Sequence, residues 1–177
     1  VARLLKDGYE WVVDVDIRKY FDTIDHGILM KRVREKIGDG KMLSLIESFL
    51  KQGVMESHKG WKPTPSGTPQ GAIISPLLSN IYLDDLDKEM RMEGLEMIRY
   101  ADDFVVMCKT EEEANEVLGM IRDWTELNKL ELHPDKTRIV HHNDPGGFQF
   151  LGYRFEKGRR FVRKESLKKL KDKIRER

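Results

Sequence analysis

The residues best suited to chemistry in this sequence are carboxylates that stand within short apolar segments. Asp102 and Asp103 are adjacent, and Ile98 to Lys109 has the pattern of a β-hairpin with Ala101-Asp102-Asp103 at its tip. Two carboxylates about 4 Å apart repel each other by roughly 4 kcal/mol at an effective dielectric constant near 20. A divalent cation is the simplest compensation, although an Asp-Asp pair also occurs in ordinary turns.

A further carboxylate stands at the end of a predicted buried strand. The segment from Trp11 to Ile17 reads WVVDVDI, and its β-branched residues predict a strand. Asp14 and Asp16 would point to the same face of a regular strand, so spacing alone does not choose between them. Converging aspartates suit hard cations bound through oxygen, and a pair of such ions can promote in-line phosphoryl transfer.

A segment rich in Gly and Pro, Gly60 to Gly71, predicts a loop that leads into a helix from Ile73 to about Met92. Backbone N–H groups at such a helix start attract anions, and Gln70 adds amide donors there. Taken alone, a loop of this composition is commonly only a connection.

The elements that must position these residues alternate between helices and strands. Asp25 predicts the N-cap of a helix that ends at Gly38 and Gly40. The other predicted helices are Val1 to Lys6, Lys41 to Gln52 and Glu111 to Asn128, and the later strands are Thr137 to His142, Phe148 to Phe155 and Arg160 to Val162. Because the hairpin is antiparallel, the predicted class is α+β, an antiparallel sheet with helices packed on one face.

Charge is distributed unevenly along the chain. The segment from Arg154 to Arg177 holds 12 Lys and Arg against 4 Asp and Glu, whereas the rest carries 20 basic and 27 acidic residues. An acidic body with a basic tail favours a polyanion held beside carboxylates, although a solvated basic helix has the same composition. Cys108 is the only cysteine, so no internal disulfide can form, and no apolar run is long enough to span a bilayer.

The order of the motifs resembles a known family. Asp16 with Phe21, then SGTPQGAIISPLLSNIYL from Ser66, then YADD from Tyr100, are similar to the polymerase motifs of reverse transcriptases. The long version of the second motif resembles the bacterial group II intron branch in particular. Leu130 to Thr137 and Phe150 to Tyr153 are similar to the family's following motifs, so the resemblance covers nearly the whole chain.

The resemblance implies an RNA-directed DNA polymerase and selects Asp16 over Asp14. It implies that Asp16, Asp102 and Asp103 bind two Mg²⁺ ions, which Mn²⁺ can replace, with help from the Ile17 carbonyl. Phe21 matches a steric gate that excludes a ribose 2′-OH, and Lys136 is a candidate acid for departing pyrophosphate. The residues implied in nucleotide contact are Ile17, Arg18, Lys19, Tyr20, Phe21, Gln70 and Gly71.

The resemblance also implies an organisation and partners. Residues 1–155 would be a polymerase palm with partial fingers elements, and residues 156–177 a basic strand and helix that lead toward a missing thumb. The implied partners are an RNA template, a DNA primer, dNTPs and intron RNA, in the bacterial cytoplasm and without a membrane. The alternative is an RNA-binding maturase or structural segment that performs no turnover on its own.

Overall fold

The computed structural model describes residues 1–52, 54–56, 60–62, 65–68 and 72–175. The helices are α1 (Ala2–Lys6), α2 (Tyr20–Thr23), α3 (His26–Lys36), α4 (Gly40–Lys51), α5 (Ser75–Met92), α6 (Glu111–Leu127) and α7 (Lys164–Arg175). The strands are β1 (Trp11–Val15), β2 (Val54–Glu56), β3 (Gly60–Lys62), β4 (Glu96–Tyr100), β5 (Asp103–Cys108), β6 (Arg138–His141), β7 (Phe148–Phe150), β8 (Tyr153–Glu156) and β9 (Arg159–Val162). Helices accompany antiparallel sheets, which confirms the predicted α+β class.

The chain divides into two compact units. The first comprises Val1–Asp16, Met90–Ile121 and His133–Arg177, and the second comprises Ile17–Glu89 and Arg122–Leu132. Within the described ranges, no helix is long and apolar enough to cross a membrane.

A four-stranded antiparallel sheet with the order β4-β5-β1-β6 forms the centre of the first unit. Strand β1 lies between two partners, and its Val12 and Val13 side chains are fully buried. Its register places Asp14 opposite Val105 on β5 and Arg138 on β6. The strand ends at Val15, so β1 carries the chain from a buried interior directly to Asp16.

The strands β7, β8 and β9 form a second antiparallel sheet in the same unit. The rings of Phe148 and Phe155 stack with centroids 5.2 Å apart. One buried cluster joins strands β7 and β8 to the central sheet. It contains Val12, Val105, Met107, Val140, Phe148, Phe150 and Phe155. The turn between β7 and β8 is therefore held in a fixed position by apolar burial.

Cys108 is fully buried at the end of β5, as a small core residue. Burial raises the pKa of its thiol to about 12, and the nearby Glu113 carboxylate adds to the effect. The thiol is therefore protonated and unreactive in the folded chain at neutral pH.

Arg32 on α3 organises the interior of the second unit. Its guanidinium is almost fully buried, donates to the Tyr82 carbonyl, and lies 2.9 Å from the Asp85 carboxylate. Its Nη2 donates to Asn128 Oδ1 at 2.6 Å, and the group lies over the rings of Tyr82 and Trp124. Loss of one partner would leave a buried charge uncompensated, which typically costs about 3–5 kcal/mol.

Three local predictions were wrong. Phe148 to Phe155 was predicted to be strand, but Leu151 and Gly152 form a turn that divides it into β7 and β8. Gly60 to Gly71 was predicted to be loop throughout, but Gly60–Lys62 forms β3 and pairs with Val54–Glu56. Backbone pairing between two three-residue strands needs no long apolar run, so the composition gave no signal. Gly40 was predicted to end a helix, yet it begins α4, because the Asp39 carboxylate accepts from the amides of the next turn.

We predict unequal effects of alanine at two adjacent glycines before β7. A Cβ on Gly147, where φ is +51°, would clash with the Phe155 carbonyl, whereas a Cβ on Gly146 meets nothing within 4 Å. Gly147→Ala should lower the free energy of unfolding by about 3 kcal/mol or more. Gly146→Ala should cost only about 1 kcal/mol of backbone strain. Urea denaturation followed by circular dichroism measures both, and equal effects would contradict the described packing.

Candidate active site

A cavity of about 460 Å³ in the first unit gathers carboxylates and cationic side chains from separate strands. It lies where β1 ends, beside the start of β5 and the turn between β7 and β8. Its charged lining residues are Asp14, Asp16, Asp103, Asp135, Lys136, Arg138 and Arg163. Acidic and basic groups thus face one space, an arrangement that can bind cations and anions side by side.

Asp16 is held by its backbone and leaves its carboxylate accessible. Its carbonyl accepts from His133 N at 2.8 Å and from the Thr137 hydroxyl at 3.3 Å. Its Oδ2 lies 3.2 Å from Lys136 Nζ, and 42% of the Asp16 side chain is exposed. Exposed ion pairs contribute at most about 1 kcal/mol, so a ligand can displace this one at small cost.

Asp102 and Asp103 lie at the predicted hairpin tip. Asp103 is the first residue of β5 and pairs with Tyr100. The turn requires a left-handed residue, Ala101 with φ +57°, whose carbonyl accepts from Arg99 Nη1 at 2.9 Å. Asp103 lines the cavity together with Asp16, whereas Asp102 is not among the lining residues.

The charges around Asp103 act in opposite directions. Partial burial raises the pKa of Asp103, and the carboxylates of Asp102 and Asp16 raise it further. The backbone N–H of Leu151 donates to Asp103, and this bond and the Arg163 guanidinium oppose the rise. Asp103 is therefore a carboxylate whose ionisation is hindered, and added positive charge nearby would stabilise its ionised form.

Asp14 also reaches the cavity but is more enclosed. Only 18% of its side chain is exposed, and its Oδ2 lies 3.5 Å from Arg138 Nε. Burial raises the pKa of Asp14 to about 6, although Arg138 opposes the rise, and Asp103 and Asp16 add to it. The more accessible oxygens belong to Asp16, and the choice of Asp16 over Asp14 as a metal ligand stays a prediction.

The cavity has donors of the kind that a hard divalent cation prefers, namely carboxylate oxygens that repel one another. In the part of the chain that the structure describes, no three His, Cys, Asp or Glu side chains converge closely enough to hold a metal ion. The types of donor that line the cavity suit such a cation, whereas a converged set of three ligands is not present among the described residues, so Asp16 and Asp103 stay predicted ligands.

The first residues implied in nucleotide contact lie in the second unit, where backbone bonds fix them. Ile17 forms an isolated bridge with Leu132, and Arg18 N donates to the Glu131 carbonyl at 2.8 Å. The side chains of Arg18 and Glu131 also form an ion pair at 2.9 Å. Lys19 has a left-handed φ of +47° and is the N-cap residue that precedes α2.

The remaining implied residues follow along the chain. Tyr20 is buried, and its hydroxyl donates to a backbone carbonyl of α5 at 2.9 Å. Phe21 is half-buried, its ring centroid lies 5.3 Å from that of Tyr20, and its carbonyl accepts from Thr68 N. Gln70 and Gly71 lie outside the described residues.

Three residues of the cavity wall were not predicted from the sequence to lie in the site. Leu151 and Gly152 form the turn between β7 and β8 with φ of +47° and +80°, and Arg163 joins the wall from just before α7. The sequence predicts that Phe150 to Tyr153, which includes Leu151 and Gly152, is a family motif, but it predicts no function for this motif. Gly152 could have indicated a tight turn at this point of the chain. For Arg163, the sequence offered no indication of a place in the site other than its positive charge.

Comparison with known proteins supplies the family context. A family model described as reverse transcriptase (RNA-dependent DNA polymerase) matches residues 3–155. Protein YkfC of Escherichia coli (strain K12) is 34% identical over 179 residues, which cover 81% of this chain and 46% of that protein. Group II intron-encoded protein LtrA of Lactococcus lactis subsp. cremoris is 31% identical over 211 residues, 82% of this chain and 35% of that protein. The resemblance to group II intron proteins is thus confirmed, and the chain spans less than half of each relative.

The fold also matches solved structures. The structure of apo telomerase from Candida Tropicalis truncated from C-terminal domain superposes with a TM-score of 0.71 and covers 90% of this chain and 37% of that chain. The sequence identity is 14%, so this similarity concerns the fold alone.

We predict that Lys136→Met strengthens the binding of a divalent cation to the cavity. The ammonium group at 3.2 Å competes for Asp16, and its removal should lower the Kd of Mn²⁺ about fivefold. Mn²⁺ titration followed by electron paramagnetic resonance measures this Kd. Lys36→Met, which breaks the exposed pair with Asp84, is the charge-matched control and should leave the Kd unchanged. An unchanged Kd in Lys136→Met would contradict competition between Lys136 and the cation for Asp16.

Proposed function

Since this chain belongs to the reverse transcriptase (RNA-dependent DNA polymerase) family, we propose that it is the catalytic core of an RNA-directed DNA polymerase. The observation that carries the proposal is the cavity in which Asp16 and Asp103 face the same space as Lys136. The reaction is attack of a primer 3′-OH on the α-phosphate of a dNTP, with departure of pyrophosphate.

The carboxylates have a clear task in this reaction. Asp16, Asp102 and Asp103 hold Mg²⁺ or Mn²⁺, with the Ile17 carbonyl as a further ligand. Two such ions supply Lewis-acid activation of the attacking hydroxyl and charge stabilisation of the leaving oxygen. The raised pKa of Asp103, which comes first from burial and then from the neighbouring carboxylates, supports this assignment, because positive charge nearby would favour the ionised form.

The neighbouring residues bind and orient the nucleotide. Lys136, whose ammonium group lies 3.2 Å from Asp16 Oδ2, would balance the charge of the departing pyrophosphate or protonate it. Phe21 excludes a ribose 2′-OH and so selects deoxynucleotides. The backbone amides of Arg18, Lys19 and Tyr20 lie near the triphosphate, and Gln70 and Gly71 contact the nucleotide and the template base pair.

The proposed context follows the group II intron relatives. Residues 1–155 act as the palm with partial fingers, and residues 156–177 lead toward a thumb. The partners are an RNA template, a DNA primer and intron RNA in the bacterial cytoplasm.

A second candidate function is RNA binding as a maturase, without turnover. The helix α7 supports it, because KESLKKLKDKIR presents six basic and two acidic residues and buries none of them. Such a helix can neutralise phosphates without regard to sequence. RNA binding alone does not need carboxylates that repel one another beside the cavity, so we favour the polymerase.

We predict that Asp103→Asn abolishes RNA-templated primer extension with Mg²⁺ and dNTPs, a loss of about a thousandfold or more, and leaves RNA affinity unchanged. The measurement uses the chain alone and the chain joined to fingers and thumb segments, and filter binding gives the RNA affinity. Asp16→Asn should behave in the same way.

Asp7→Asn is the matched control, because Asp7 is an exposed aspartate that pairs only with Arg3 at 3.6 Å in the described structure. It should retain wild-type synthesis. If no form of the protein synthesises DNA while RNA binding persists, the polymerase proposal is wrong and the maturase role remains.

A further inference from the structure

The segment 65–68 is bound to the backbone around α2. Gly67 N donates to the Ile24 carbonyl at 2.8 Å, and Thr68 N donates to the Phe21 carbonyl at 2.7 Å. These bonds hold the carbonyl end of α2, a helix of only four residues that makes too few internal hydrogen bonds to fix itself. The position of Phe21 therefore depends on segment 65–68.

Gly67 is the point of closest approach in this contact. A Cβ there would lie 2.7 Å from the Phe21 carbonyl oxygen and 2.8 Å from that of Asp22, and φ is +85°. The Ser66 hydroxyl donates to the same Asp22 carbonyl at 3.1 Å. Only glycine lets the two backbones meet this closely without displacing α2.

His26 fixes the segment from the other side. It is the first residue of α3, is half-buried, and its Nε2 lies 2.7 Å from the Gly67 carbonyl oxygen. A carbonyl oxygen only accepts, so Nε2 carries a proton and donates. Phe21 is thus held between the segment that His26 secures and the buried ring of Tyr20, 5.3 Å away.

We infer that His26 is a positioning residue for sugar selection, acting through Gly67 on Phe21. The inference rests on the proposed polymerase function, in which Phe21 meets the sugar of the nucleotide. When the His26 bond is absent, segment 65–68 separates more often from α2. The Phe21 ring then occupies a wider range of positions and excludes a 2′-OH less strictly.

The test compares three variants in RNA-templated primer extension with dNTPs and with ribonucleotides, each giving kcat and KM. His26→Leu removes the donor and should lower the preference for dNTP over ribonucleotide about fivefold, the effect expected from one lost hydrogen bond. His26→Gln keeps an N–H donor of similar reach and should restore the wild-type preference. Lys129→Met breaks the 2.8 Å pair with Asp25, the residue before His26, but leaves the His26–Gly67 bond in place, and it should not change the preference.

A second measurement does not depend on turnover. Amide hydrogen exchange of Gly67 and Thr68, followed by NMR, should accelerate in His26→Leu and stay at the wild-type rate in His26→Gln. Unchanged exchange in His26→Leu, or faster exchange with an unchanged sugar preference, would overturn the inference while leaving the polymerase intact. If no wild-type form, including the chain joined to fingers and thumb segments, incorporates either kind of nucleotide, the proposed function is refuted, and the inference with it.

Discussion

Concentrated negative charge at the end of one buried strand is the constraint on which the first unit depends. Strand β1 is hydrogen-bonded on both sides and delivers Asp14 and Asp16 to the place where β5 begins with Asp103. Carboxylates brought together in this way are stable only with compensating charge. Lys136 supplies part of it through an exposed ion pair that is weak enough to be exchanged for another partner, and Arg138 supplies part of it through its pair with the more enclosed Asp14.

Backbone strain is found beside the candidate functional residues. Among the non-glycine residues with positive φ in the described structure, Lys19 precedes Tyr20 and Phe21, Ala101 precedes the aspartate pair, and Leu151 donates its N–H to Asp103. Each conformation costs of order 1 kcal/mol or more and persists because the surrounding packing enforces it. The buried pair of Phe148 and Phe155 holds the turn at Leu151 in place. Because of that turn, the Leu151 N–H can donate to Asp103.

The sequence sufficed to predict the elements that have a strong local signal. Strand β1, the hairpin at Asp102 and the cap at Asp25 all follow from apolar periodicity, turn chemistry and capping, and the structure has each of them. Strand β3 was not predicted, because pairing between two three-residue strands leaves little trace in composition, whereas α4 was predicted from Lys41 and begins one residue earlier, at Gly40. The position of Arg163 in the cavity wall depends on tertiary packing, which no local pattern encodes.

The complete burial of Cys108 has a practical consequence for spectroscopy. Burial keeps the Cys108 thiol almost fully protonated at pH 8, whereas an exposed cysteine of ordinary pKa is ionised to about a quarter. A cysteine introduced on an exposed surface would therefore react with a maleimide or spin label long before the native one. Fluorophores can thus be attached at chosen positions without replacing Cys108, which stays unlabelled in the core.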